Sequence, residues 1–316
     1  MRILPLPRAH AQGGPLRCPQ PTRRGRRAPI VVGVDGLASG RAALDWAAAE
    51  ADTQNRPLHL VHAFTSALVV NPLGVASAPC DDASPLAAAE SVAQDAARRA
   101  RDVAPDLEVT TRVVVGPAAT AVLHAAQDAE MVVLGRRGLG CFTSLLRRSV
   151  SVQVAARAPC PVTVVRPIHD VEPGSSSTQV VVGIDGSEHS ARVIACAFEA
   201  ASRRGLGLAA VHAWMPRCPA DHVAIVDDLA ATESAAWQKL EEALAGWRDR
   251  YAGVTVTPKL MRCPPGPALV AESAGAALVV VGSRGRGSLR GLLLGSVSQN
   301  VLQHAHCPLT VVRARL

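Results

Sequence analysis

Four stretches of this chain are written twice. "IVVGVDG" at residues 30–36 returns as "VVVGIDG" at 180–186, and "LVHAF" at 60–64 returns as "AVHAW" at 210–214, both displaced by 150 residues. "MVVLGRRGLG" from Met131 returns as "LVVVGSRGRG" from Leu278, and "APCPVTVVR" from Ala158 returns as "AHCPLTVVR" from Ala305, both displaced by 147. A displacement this long marks a duplicated domain, since solenoids repeat every 20–50 residues or so. Two copies also suit 316 residues, at roughly 150 residues per domain. The expected organisation is a basic Pro/Gly-rich tail at 1–28, a first domain at 29–168, a polar linker "HDVEPGSSSTQ" at 169–179, and a second domain at 180–316.

Inside each copy, short apolar runs alternate with longer helical patterns. In the second copy the strand candidates are Val180 to Ile184, Leu208 to Ala213, Val254 to Leu260, Ala277 to Val281 and Leu309 to Arg313. The clearest helix carries Trp237, Leu240, Leu244 and Trp247 three or four apart on one face, which makes both tryptophans expected core anchors. The strands are apolar throughout instead of alternating, as strands covered on both faces are. The fold class read from this is α/β, with two tandem doubly wound parallel sheets and helices on both faces.

Hydrophobic residues are 48% of the chain and aromatics only 3%, so the cores must be built from Val, Leu, Ala and Ile. The net charge of +7 is local. Arg2, Arg8, Arg17, Arg23, Arg24, Arg26 and Arg27 all precede residue 29, and without them 26 basic residues face 26 acids. A neutral body lacks the electrostatic footprint of a nucleic-acid binder. The tail has no apolar periodicity and reads as disordered; its apolar run is too short and too proline-broken for a signal peptide, and no stretch approaches a membrane span. Eight cysteines (18, 80, 141, 160, 196, 218, 263 and 307) are scattered without metal-ligand spacing, which reads as reduced, cytoplasmic and core-forming. No metal site is expected.

In a doubly wound sheet a ligand sits at the carboxyl ends of the strands, where the winding reverses. Two loops of each copy carry polar residues there: Asp35 or Asp185 after the first strand, and the glycine-rich stretch after the fourth. In the second copy, Ser296 with Gln299 forms a capping-box pattern at the head of a helix striped with Val297, Val301 and Leu302. A helix head offers unpaired amides and a partial positive charge, and Gly282, Gly285 and Gly295 would let the backbone approach a phosphate. Neither a GxxxxGK[ST] loop nor a complete GxGxxG is present, so the residues alone leave open an anion site or an ordinary capped turn. No GxSxG elbow, HExxH or carboxylate pair offers catalysis. His62 and His212, repeated before the strand ends, read as structural, and Cys160 and Cys307, before the last strands, as packed.

The spacing Gly282, two residues, Gly285, nine residues, Gly295-Ser296 resembles the signature of the universal stress proteins, as do "VVGIDGS", "VHA" and "CPLTVVR". The resemblance covers both copies. It implies five parallel strands per domain (a Rossmann-like, HUP-type fold), pairing of domains through their last strands, a homodimer, and ATP, with or without Mg²⁺, as a regulatory ligand in the stress response. Protein partners are open, and the alternative is an adaptor of the same fold that binds no nucleotide. It further implies that Asp185 and Ala213 line the nucleoside side, and that Gly282, Gly285, Gly295, Ser296, Val297 and Ser298 hold the phosphates. The matching first-copy positions are Asp35, Ala63, Gly135, Gly138, Ser149, Val150 and Ser151. At most slow ATP hydrolysis is implied, with Asp185 on the metal side. Two departures stand out. Arg148 replaces the third signature glycine of the first copy, costing about 1 kcal/mol if that glycine sat at positive φ. Cys263 stands where the first copy has Gly116.

Overall fold

The computed structural model describes residues 27–65, 69–70, 76–77, 85–136, 149–166, 178–187, 190–215, 226–285 and 294–313. The tail through residue 26, residues 167–177 of the linker region, Gly138, Arg148, Cys18, Cys80, Cys141 and Cys218 lie outside the described residues.

The β-branched runs form strands and the alanine-rich periods form helices. The first half runs β1 (Ile30–Val34), α1 (Ala38–Thr53), β2 (Leu58–Phe64), a two-residue ribbon of β3 (Val69–Val70) with β4 (Ala76–Ser77), α2 (Pro85–Val103), β5 (Val109–Val115), α3 (Ala118–Ala125), β6 (Met131–Gly135), α4 (Val150–Arg157) and β7 (Val162–Val165). The second half runs β8 (Gln179–Gly183), α5 (Ser190–Arg204), β9 (Gly207–Ala213), α6 (Val226–Arg250), β10 (Val256–Met261), α7 (Pro265–Ser273), β11 (Ala276–Gly282), α8 (Ser296–His304) and β12 (Leu309–Val312).

All main strands join one ten-stranded sheet in the order β10-β9-β8-β11-β12-β7-β6-β1-β2-β5. Every pairing in that sheet is parallel except β12 with β7, where Thr310 faces Thr163 in an antiparallel register. The last strands of the two halves are thus paired inside one chain. Each half winds outward from its first strand in both directions, so the reversal lies between β8 and β11 and between β1 and β6.

Alternate strand residues point to opposite faces, and both faces are apolar. One face forms a single core across both halves, with Val31, Val132, Val181, Val279 and Val311 packed under α3, α4, α7 and α8. The other face forms two cores: Ile30, Val32 and Val133 under α1 and α2, and Val180, Val182 and Val280 under α5 and α6. With few rings available, small side chains bring helix and sheet close. Ala89, Ala93, Ala97 and Ala100 make the buried stripe of α2.

Polar contacts lock the halves together. Thr163 and Thr310 share a 2.8 Å hydrogen bond between buried hydroxyls. Arg166 donates to the carbonyl of Gln303 at 2.7 Å, and Arg313 reciprocally to that of Arg157 at 2.8 Å, so each half supplies a cation to the last helix of the other. Arg204 pairs with the buried Glu50 of α1 and lies over Trp46.

Several expectations are corrected. Trp237 is 41% exposed on α6 while Leu240 and Leu244 are fully buried, so it is no core anchor; Trp247 does stack on Phe198 and Tyr251. β10 begins two residues later than expected, because the buried Val254 still belongs to the turn closing α6, its amide bonded to the carbonyl of Tyr251. Gln179, assigned to the linker, opens β8, and Arg27 and Ala28, assigned to the tail, are held by hydrogen bonds to Gln54 and Arg56.

The threonine pair generates a test of the junction. Thr163→Val leaves the buried Thr310 hydroxyl without its partner and is expected to cost ~1–3 kcal/mol in denaturant unfolding, whereas the double change Thr163→Val/Thr310→Val recovers most of it. A loss in the double variant equal to the sum of the two single losses would contradict the pairing.

Candidate functional site

The reversal between β8 and β11 opens a cavity of about 480 Å³ at the carboxyl ends of these strands, within the ordinary size range of small-molecule sites. Its wall includes Asp185, Ala213, Gly282, Gly285, Gly295, Ser296, Val297 and Ser298, which are all eight second-half residues singled out from the sequence. Ile184, Val193, Val211, Leu269 and Val281 supply apolar wall. Residues that sequence reasoning did not select also line it: Ser187, Ser190, His212, Trp214, Pro265 and Arg284. The signals for some were present, since Arg284 lies between two signature glycines and His212 within a repeated "VHA".

Asp185 is fixed by the start of α5. Its Oδ1 accepts hydrogen bonds from the Ser187 amide at 3.0 Å, the Ser187 hydroxyl at 2.7 Å and the Ser190 hydroxyl at 2.8 Å. Its Oδ2 lies 2.7 Å from where a β-carbon on Gly285 would be, so Gly285 is the residue that lets the glycine loop close against Asp185. His212 Nδ1 lies 2.7 Å from the Ile184 carbonyl, and His62 Nδ1 2.8 Å from that of Val34. A carbonyl only accepts, so Nδ1 carries the proton in both rings, and each ties its second strand to the end of its first.

The head of α8 departs from the expected capping box. Gly295, not Ser296, is the N-cap, and it brings no side-chain cap hydrogen bond. Ser298 turns its hydroxyl inward to the carbonyls of Ser283 at 3.0 Å and Gly295 at 3.3 Å, and Gln299 donates to the Leu294 carbonyl at 3.2 Å. The polar side chains of this turn therefore serve the preceding loop, not the first amides of the helix. The residues that carry those amides line the cavity at the helix's partial positive end. Gly295 has φ −67°, so its glycine is not required by backbone conformation. A β-carbon there would meet Arg284 Cα and Ser298 Oγ at 3.4 Å, and further atoms would enter the space beside the helix head. The positive φ on which the expected cost of Arg148 was conditional is not found at Gly295, the equivalent second-half position; Arg148 itself lies outside the described residues.

A second cavity of about 440 Å³ lies at the matching reversal of the first half. Asp35, Ala63, Gly135, Ser149, Val150 and Ser151 line it. Here Leu37 and Gly40 stand where the second half has Ser187 and Ser190, so Asp35 lacks both hydroxyl donors, and Leu37 supplies only its amide at 3.0 Å. Arg136 lines this cavity where the second half has Ser283. Gly116 has φ +135° with open space around it, whereas Cys263 is not at positive φ; neither is among the described residues that line these two cavities.

The thiols behave as core groups. Burial pushes Cys160 up to about 11 and Cys196 and Cys307 up to about 12, which keeps all three protonated at neutral pH. No described helix is long and apolar enough to cross a membrane.

Known proteins share this architecture. The family model described as "Universal stress protein family" matches residues 27–166 and again 177–313. A universal stress protein of Mycobacterium tuberculosis is 39% identical over 296 residues, covering 90% of this chain and 96% of its own. A second from the same organism is 37% identical over 293 residues, covering 91% and 97%. The crystal structure of a universal stress protein from Archaeoglobus fulgidus superposes with a TM-score of 0.63 at 20% identity, covering 91% of this chain and 97% of its own, a likeness of fold.

Buried thiols are a measurable consequence. Because their folded pKa values lie above the ordinary 9.0, their contribution to stability is full below about pH 9 and is lost as pH rises toward 11–12, where the unfolded chain has released protons that the folded chain retains. Urea unfolding across pH 8–11 is expected to show this decline, and iodoacetamide at pH 8 to spare the buried Cys160 and Cys307 until urea is added. Rapid alkylation of the native protein at these positions would contradict their burial.

Proposed function

The chain belongs to the universal stress protein family, and on that premise we propose that it is a stress-response protein that holds an adenine nucleotide, ATP foremost, as a regulatory ligand in the cavity of its second half. The observation that carries this reading is the head of α8, which begins at Gly295 without a side-chain cap hydrogen bond, opening on a glycine-walled cavity. Backbone amides at a helix start suit phosphate oxygens, and the three glycines leave the main chain accessible. Apolar Ile184, Val211, Leu269 and Val281 suit a base and sugar, while Asp185, held rigidly through Oδ1, offers a fixed carboxylate. Bound Mg²⁺ would neutralise phosphate charge, with Asp185 the carboxylate placed to support it. The role proposed is regulation rather than turnover: Asp185 is engaged by the hydroxyls of Ser187 and Ser190 at the start of α5, where it serves to hold the loop.

The described cysteines 160, 196, 263 and 307 are all free, which suits a reducing cytoplasm. A homodimer of this chain uses some surface other than β7 and β12, because these two strands already pair with each other. The alternative, an adaptor without nucleotide, is the outcome if the cavity binds nothing.

Calorimetric titration of the purified chain with ATP tests the reading. Saturable binding is expected, weakened at least tenfold by Gly295→Leu, whose side chain would occupy the space before the amides while the circular dichroism spectrum stays unchanged. A native chain that binds no ATP and releases no nucleotide when denatured would refute it.

A further inference from the structure

The two faces of the sheet are closed differently where the halves meet. On one face a single core runs through both halves; on the other, the core under α1 and the core under α5 are separate, with Trp46 packed against both. Between those two cores lies a further cavity of about 360 Å³, walled by α1 and α5 and floored by strand residues of both halves, among them Met131, Leu278 and Thr310. Cavities of this size at the joint between domains are ordinary places for small ligands. The cleft exists because the copies differ. At the 150-residue displacement, Trp46 and Glu50 of α1 correspond to Cys196 and Ala200 of α5, so bulky side chains on one wall stand across from small ones on the other.

We infer that this cleft is a binding site for a small organic anion with an apolar body, separate from the cavities at the carboxyl ends of the strands. Two observations point to an occupant that accepts hydrogen bonds. Thr163 and Thr310 are 0% and 1% exposed, and their hydroxyls share one hydrogen bond, which leaves one O–H without an acceptor among the described residues. With Thr163 as the donor, that proton is Thr310's, and Thr310 lines the cleft. The second observation is charge. Arg192, Cys196, Glu199 and Arg203 follow one another at helical spacing along α5, so one stripe of side chains emerges toward the cleft that these residues line. The carboxylates of the wall are all engaged: Glu50 by Arg204, Glu130 by Arg56 and Glu199 by Arg203. Arg192 makes no hydrogen bond or ion pair among the described residues, so it is the charge left for a ligand. Trp46, Met131 and Leu278 supply the apolar surface.

The test uses the full chain with 8-anilinonaphthalene-1-sulfonate, one anionic group on an apolar body, in excess ATP and read by fluorescence. Saturable emission at one equivalent is expected. Arg192→Ala is expected to weaken it about threefold and Arg192→Glu at least about tenfold, the order that a charge contact requires. Cys196→Trp gives α5 the residue that α1 carries at the equivalent place; its ring fills the cleft, and the emission is expected to vanish while the circular dichroism spectrum stays unchanged. No saturable emission, emission that ATP removes, or emission that Arg192→Glu leaves unchanged overturns the inference. Should Cys196→Trp fail to fold, the Arg192 series decides alone. Titration with ATP in the absence of the probe reads nucleotide binding by itself, so neither reading stands or falls with the other.

Discussion

Parallel pairing of β8 with β11 is the constraint on which the rest of this molecule depends. Strand order within each half places the first and fourth strands side by side while their chain connections leave in opposite directions. That leaves a gap at their carboxyl ends which the sheet itself cannot fill. Asp185 comes from one rim and the glycine loop from the other, and Gly285 allows the two to approach so closely that a β-carbon would collide with the carboxylate. The head of α8 completes the gap because the loop after β11 must return to begin β12. The site is thus a product of winding, and the side chains tune a space that topology has already made.

The second organising contact is the antiparallel meeting of β7 and β12. Equivalent residues of the two copies, Thr163 and Thr310, face each other there, as they do near a two-fold axis. Arg166 and Arg313 repeat the symmetry by each satisfying a helix end in the opposite half. The copies have nevertheless diverged where chemistry would occur. Ser187 and Ser190 hold Asp185, while Leu37 and Gly40 hold nothing comparable at Asp35, and Arg136 replaces Ser283. The second-half cavity therefore has a carboxylate held by two serine hydroxyls and Arg284 in its wall, and the first-half cavity a carboxylate without those two hydroxyls and Arg136 in its wall.

Much of this was legible in the sequence. Duplication and continuous apolar runs led to the doubly wound halves, and the repeated loops led to the eight residues that do share one cavity in the second half. What was not legible depended on three-dimensional competition. Ser296 and Gln299 fit a capping box by spacing, but Ser298 and Gln299 satisfy loop carbonyls instead and Gly295 takes the cap position. Trp237 fits the helical stripe, yet α6 leaves it exposed and fills the core with Leu240 and Leu244. Glycine at Gly295 invited a positive-φ explanation, and its negative φ assigns the reason to space beside the helix. The cleft between α1 and α5 depends on how the halves join, which no local pattern encodes.

The central claim is that the first amides of α8 are left by the protein for phosphate oxygens. A crystal structure of the chain grown with ATP measures this directly. The account predicts phosphate oxygens within hydrogen-bond distance of the main-chain nitrogens of Val297 and Ser298, with the base against Val211 and Leu269. Nucleotide bound elsewhere, or those nitrogens bonded to the protein's own side chains across the cavity, would contradict it.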